Sequence, residues 1–143
     1  MDIQEKIKEL LTPLFAAYEE QMVPASEGML KTFRQKGHDN GVPGIVIEEL
    51  VTFYQVTNGV PCLDSFDFHA CNDEIIYEWW GNRELWLAQR DFYTLRWSHN
   101  KFCLGDAANV SFSEEHEYQT LLDLLENALR EWGGMEKDGN GTS

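Results

Sequence analysis

Residues 84–105 read ELWLAQRDFYTLRWSHNKFCLG, and the parsing of this stretch decides the fold. ELWLAQR, FYTLRW and KFCLG are short runs rich in aromatic and branched side chains, and RD, SHN and the following GDAAN punctuate them with turn formers. Runs of that length bounded by such residues read as strands, and connections this short join neighbours antiparallel. Just upstream, SFDFHA at 65–70 alternates apolar and polar, as a half-buried strand does, and EIIYEWW at 74–80 continues the series. An antiparallel meander is therefore expected between about residues 65 and 112.

The flanks have a different period. Ile3, Ile7, Leu10, Leu11, Leu14, Phe15, Tyr18 and Met22 recur every three or four residues, the apolar stripe of a helix. Pro13 within it either kinks that helix or opens a second one. Ser26 is placed to cap a short helix carrying Met29, Leu30 and Phe33 and ending at Gly37. The run from Ile45 to Thr57 is contested, because its β-branched content favours a strand. Ile47, Leu50, Val51 and Tyr54 keep helical spacing, however, and Asn58-Gly59 is a fitting stop, so a helix is expected. After the strands, Ser113 is expected to cap a last helix over Glu114–Trp132, with Tyr118, Leu121, Leu122, Leu125, Leu129 and Trp132 on its buried face. The whole describes one α+β domain over residues 1–134, its N-terminal helices and closing helix packed on a mostly antiparallel sheet. Residues 135–143, EKDGNGTS with its preceding Met135, form a tail with nothing to bury.

Charge narrows the function. The chain has 143 residues and a formal net charge of −14, yet is 43% apolar and contains 18 aromatic residues, 13 of them between Phe53 and Phe112. Acidic disordered segments are poor in aromatics, so here the aromatics build a core and the carboxylates coat a folded object. Such a surface repels nucleic acid and anionic membranes and attracts basic proteins. No apolar run approaches the ~20 residues that span a bilayer, and MDIQEKIKELL lacks the plan of a secretory signal, so a cytoplasmic location is expected. Cys62, Cys71 and Cys103 form no C-x-x-C pair, and the C-x6-H-x-C spacing of Cys62, His69 and Cys71 is that of no zinc ribbon or finger. Reduced thiols, no metal and no cofactor are expected.

No catalytic motif is present: G-x-S-x-G, G-x-G-x-x-G and G-x-x-x-x-G-K-[ST] are all missing. What remains is a run of acids and tryptophans in the strand-rich segment. Asp64, Asp67, Asp73, Glu74, Glu78 and Glu84 are expected to form an acidic face, with Trp79 or Trp80 at its centre as the desolvated anchor. The bland reading, tryptophans in a core and acids on a solvated surface, covers most of these residues. The same set would also suit a carbohydrate- or small-molecule-binding module or a weak hydrolase, although no spacing places two of the carboxylates about one bond.

ELVTFYQVTNG at Glu49–Gly59 resembles the helix-then-Asn-Gly signature of the SUKH superfamily, which includes yeast cell-wall synthesis regulators of the SMI/KNR type and bacterial immunity proteins. ELWLAQRDFYTLRW resembles that family's central hairpin, and NKFCLGDAANVSFSEEHEYQTLLDLLENAL its last strand, acidic turn and closing helix. EIIYEWW departs from the pattern. The resemblance implies a non-enzymatic protein-binding domain, and for a stand-alone bacterial member an immunity protein that neutralises a toxin. An acidic inhibitor suits a basic nuclease, whose phosphate-binding surface it can cover.

Overall fold

The computed structural model describes residues 2–63, 65–76, 84–90, 93–98, 100–106 and 117–129, and only the backbone of residues 84, 90, 93, 105 and 106. Three helices, α1 (Ile3–Ala17), α2 (Glu27–Asp39) and α3 (Gly44–Val56), precede strands β1 (Val60–Leu63), β2 (Phe66–Phe68), β3 (Glu84–Arg90), β4 (Tyr93–Ser98), β5 (Lys101–Asp106) and β6 (Glu117–Tyr118). A closing helix, α4, spans 121–129. The fold is α+β, and the six strands form one antiparallel sheet in sequence order, the expected meander.

α1 starts in a capping box: Asp2 accepts from the Glu5 backbone N–H, and Glu5 accepts from that of Asp2. Pro13 lies inside one continuous α1, on its exposed side, and opens no second helix. Ser26 caps α2 as expected, accepting from Met29 N–H at 3.2 Å. Gly37 does not end α2. The helix runs to Asp39 and closes in a Schellman motif, with Val42 N–H donating to Gly37 O, Gly41 N–H to His38 O, and Gly41 at φ +79°. α3 packs on both α1 and α2 and buries Val46, Ile47, Leu50, Val51, Phe53, Tyr54 and Val56. Burial on several sides accounts for a helix whose apolar residues crowd beyond one stripe and mimic a strand.

Strand register sorts the two faces of the sheet. Phe68, Ala88, Leu95 and Leu104 lie opposite one another across four strands, all buried, and Trp97 opposes Phe102 on the same side. Phe53 of α3 stacks on Phe68 with ring centroids 4.1 Å apart, so this face receives the helices. On the other face stand Asp67, Gln89 and Thr94, then Trp86, Arg96 and Cys103. The centre of that face is covered as well: Thr94, Ser98, Cys103 and His69 are all buried. Alternation assigns residues to a face but is silent on what lies over it.

Two segments depart from the sequence reading. Glu74–Ile76, the start of EIIYEWW, is a 3-10 turn; the remainder of that run lies outside the described residues. At the other end, Glu117 and Tyr118 pair with Cys103 and Phe102 as β6, so the helix begins at 121 and not at 114. Thr120 caps it by accepting from Asp123 N–H at 3.1 Å, and Glu49 of α3 accepts from Leu121 N–H at 3.1 Å. The helix buries Leu121, Leu124, Leu125 and Ala128, with Leu122 and Leu129 only partly covered. The boundary at residue 134 and the tail lie outside the described residues.

Neither edge of the sheet invites strand addition. β1 carries Pro61, which has no N–H, and its register is broken beside Cys62 at φ +53°. β6 pairs through only two residues.

Candidate functional site

Where the segment joining α1 to α2 meets the ends of β1 and β2, the surface opens into a groove of about 580 Å³. Thr57-Asn58-Gly59 builds it. Asn58 N–H donates to Val23 O at 2.7 Å, its side-chain oxygen accepts from Cys71 N–H at 2.8 Å, and its amide donates to Asn72 Oδ1 at 3.2 Å. One residue thus ties the α1–α2 connection to the loop that follows β2. Tyr54 adds two ties, its carbonyl accepting from Ala25 N–H and its hydroxyl donating to His69 O at 2.8 Å. Gly59, at φ +91°, lets the chain pass against the backbone of Phe68 and Ala70; a Cβ there would lie 2.5 Å from the Phe68 carbonyl oxygen. The Asn-Gly pair is therefore more than a helix stop.

Three carboxylates line the groove, those of Glu20, Asp67 and Asp73, and the described lining includes no lysine or arginine. Glu20 and Asp73 are exposed and Asp67 is half-buried. Asp73 is partly committed, one oxygen accepting from Ile75 N–H at 3.1 Å at the head of the 3-10 turn. Phe66 and Phe68 point into the core, so alternation along β2 turns Asp67 and His69 to the opposite face together. His69 is 7% exposed, its ring meets the edge of Trp86 with centroids 5.9 Å apart, and its Nε2 is buried with no hydrogen-bond partner among the described residues. The outer rim carries Val23 and Met29, both exposed. The groove therefore presents negative charge and hydrogen-bond acceptors beside a small apolar lip.

The expected site residues divide accordingly. Asp67 and Asp73 share the groove, and Glu74 is exposed beside it, the first residue of the 3-10 turn. Asp64, Glu78, Trp79 and Trp80 lie outside the described residues. Glu84 begins β3 opposite Ser98, at the far end of that strand from Arg90 and its partner Phe66. Glu20, which lies 47 positions before Asp67, and the structural role of Asn58 were not read from the sequence.

The thiols are free, with Cys62 exposed and Cys71 and Cys103 buried. Burial pushes the Cys71 thiol up to about 11, which keeps it protonated at neutral pH and poorly nucleophilic. Among the described residues no group of three or more His, Cys, Asp or Glu is placed to hold a metal ion. Among them, too, no helix is long and apolar enough to cross a membrane.

No family model, curated protein or solved structure matches this chain.

Proposed function

We propose that this chain is a non-enzymatic protein-binding domain of SUKH type that acts in the cytoplasm as an immunity protein, occupying the basic surface of a toxin domain. The observation that carries the reading is the groove, where Glu20, Asp67 and Asp73 meet with no described lysine or arginine to neutralise them. A net charge of −14 surrounds it with a field of the same sign, which draws a basic partner in and sets the rate of encounter. The blunted sheet edges favour recognition by side chains over strand addition. ELVTFYQVTNG and the closing helix supply the family resemblance.

Co-expression with the product of the neighbouring reading frame, where that product ends in a basic toxin-like domain, tests the proposal. The expected result is restored growth together with a stable complex on gel filtration. Undiminished toxicity and no complex would refute it. A partner that proved to be a neutral sugar, bound with an affinity indifferent to salt, would favour a carbohydrate-binding module instead.

A further inference from the structure

We propose that a second cavity, between α1, α3 and the start of α4, receives a lysine side chain of the basic partner. The step rests on the protein-binding reading above but not on the acidic groove. The cavity holds about 300 Å³, the lower end of the range for ligand sites. Ile7 and Leu121, both buried, belong to its lining, with the half-buried Leu122 beside them. Ile3 and Ile45, which also line it, are 53% and 75% exposed, so the apolar wall runs from the core out to solvent. The polar groups of the described lining are committed locally with one exception. Glu48 holds Arg34 through both oxygens, the Thr52 hydroxyl donates to Glu48 O at 2.8 Å, and Thr120 Oγ accepts from Asp123 N–H. The exception is Glu49. One of its oxygens accepts from Leu121 N–H, and the other makes no hydrogen bond among the described residues. Burial raises this carboxyl above its ordinary range in spite of the Leu121 bond, and the nearby Asp123 adds to the shift. Its charged form is short of a counter-charge.

The occupant that fits is apolar along its length and cationic at its tip. A purely aliphatic side chain would fill the walls but cover the free Glu49 oxygen, at the full cost of desolvating an unpaired acceptor. A lysine lays its four-carbon stem along Ile3, Ile45 and Leu122 while its ammonium meets the carboxylate. An arginine brings five donors on a rigid plane to one free acceptor between apolar walls. Charge points the same way. The net charge of −14 favours a cation, and Arg34, engaged with Glu48, leaves the charge of Glu49 and Asp123 without an offset.

The test is an NMR titration of the intact chain with capped tripeptides, Gly-X-Gly, where X is lysine, norleucine, diaminobutyric acid or arginine. Norleucine keeps the stem of lysine without its ammonium, and diaminobutyric acid keeps the ammonium on a shorter stem. The lysine peptide should shift the Ile3, Ile45 and Leu122 methyls and the Leu121 amide saturably, and the other three should bind several-fold more weakly. Glu49→Gln, which keeps an acceptor for Leu121 N–H, should weaken the lysine peptide about fivefold, as loss of a partly exposed ion pair does, and leave norleucine unchanged. Ile45→Ser, at an exposed position, should weaken lysine and norleucine alike, and Glu9→Gln, on α1 outside the cavity, should change neither. No saturable shift of these signals by lysine, equal binding of any other peptide, or indifference to Glu49→Gln overturns the inference. If a basic partner protein still binds under those results, the protein-binding reading survives the loss of the lysine pocket. If no basic partner binds either, both fall.

Discussion

Gly59→Ala probes the junction on which the groove depends. The added Cβ would lie 2.5 Å from Phe68 O, 3.0 Å from Ala70 N and 3.2 Å from Ala70 Cα, all backbone atoms that cannot rotate away. Carbon contacts normally rest near 3.5–4.0 Å, so β2 or the Asn58 turn must retreat by roughly 1 Å. That retreat disturbs the Phe53–Phe68 stack, an overpacking cost of about 1–3 kcal/mol. Gly59 also sits at φ +91°, where a side chain adds about 1–2 kcal/mol. The two together predict a loss of about 2–5 kcal/mol, a large share of the 5–15 kcal/mol typical of a domain. Urea denaturation followed by tryptophan fluorescence should show a midpoint lower by about 1–2 M. Gly28→Ala is the control, since near the start of α2 its Cβ would meet only Ser26 Oγ at 4.0 Å, and the change should be neutral or slightly stabilising. A Gly59→Ala loss below about 1 kcal/mol would refute the close-approach argument.

Three further outcomes are expected. Leu124→Ala, at a fully buried position, should cost about 2–5 kcal/mol, whereas Leu122→Ala, half-buried, should cost clearly less; equal costs in denaturation would contradict the observed facing of α4. Burial raises the Glu49 carboxyl above its ordinary range, opposed by the Leu121 N–H bond and assisted by Asp123. Its contribution is therefore fully present below the unfolded pKa and is lost as pH rises through the folded one. Glu49→Gln, which keeps an acceptor for Leu121, should gain stability relative to the parent between the ordinary carboxylate range and neutrality, and a difference constant from pH 4 to pH 7 would rule this out. In the native protein at neutral pH, iodoacetamide should label Cys62 quickly and spare Cys71, whose thiol sits at about 11; mass spectrometry showing equal labelling would contradict the burial of Cys71.

The meander was legible because its strands carry their own punctuation: SHN ends β4 and opens β5, with Asn100 at φ +68° in the turn. α3 was legible from spacing despite its β-branched content, since the hydrophobic period outweighs local propensity. β6 was not, because two residues are too short to show alternation, and Tyr118 falls equally well on the helical stripe of the leucines that follow. Glu74–Ile76, the start of EIIYEWW, misled for a different reason. Asp73 caps the turn that begins at Glu74, and a capped turn of apolar residues has the composition of a strand. Of the site, Asp67 and Asp73 were visible as acids in a strand-rich segment, but their partner Glu20 was not. Only the tertiary bonds of Asn58 and Tyr54 bring the α1–α2 connection against β2, and nothing local to Glu20 encodes that. His69 stood out only as a possible metal ligand, and its burial against Trp86 is a property of packing.

The central claim is that carboxylates at this groove steer and hold a basic protein. Stopped-flow association with a basic partner protein captured by this chain, measured from low salt to about 0.5 M, tests it most directly, because the Debye length shrinks over that range from well above 10 Å to below 5 Å. The account predicts that association slows at least about tenfold while dissociation changes little. It also predicts that Glu20→Gln/Asp67→Asn associates more slowly at low salt and with a shallower salt dependence. An association rate indifferent to salt, or a double variant indistinguishable from the parent at every salt concentration, would contradict it.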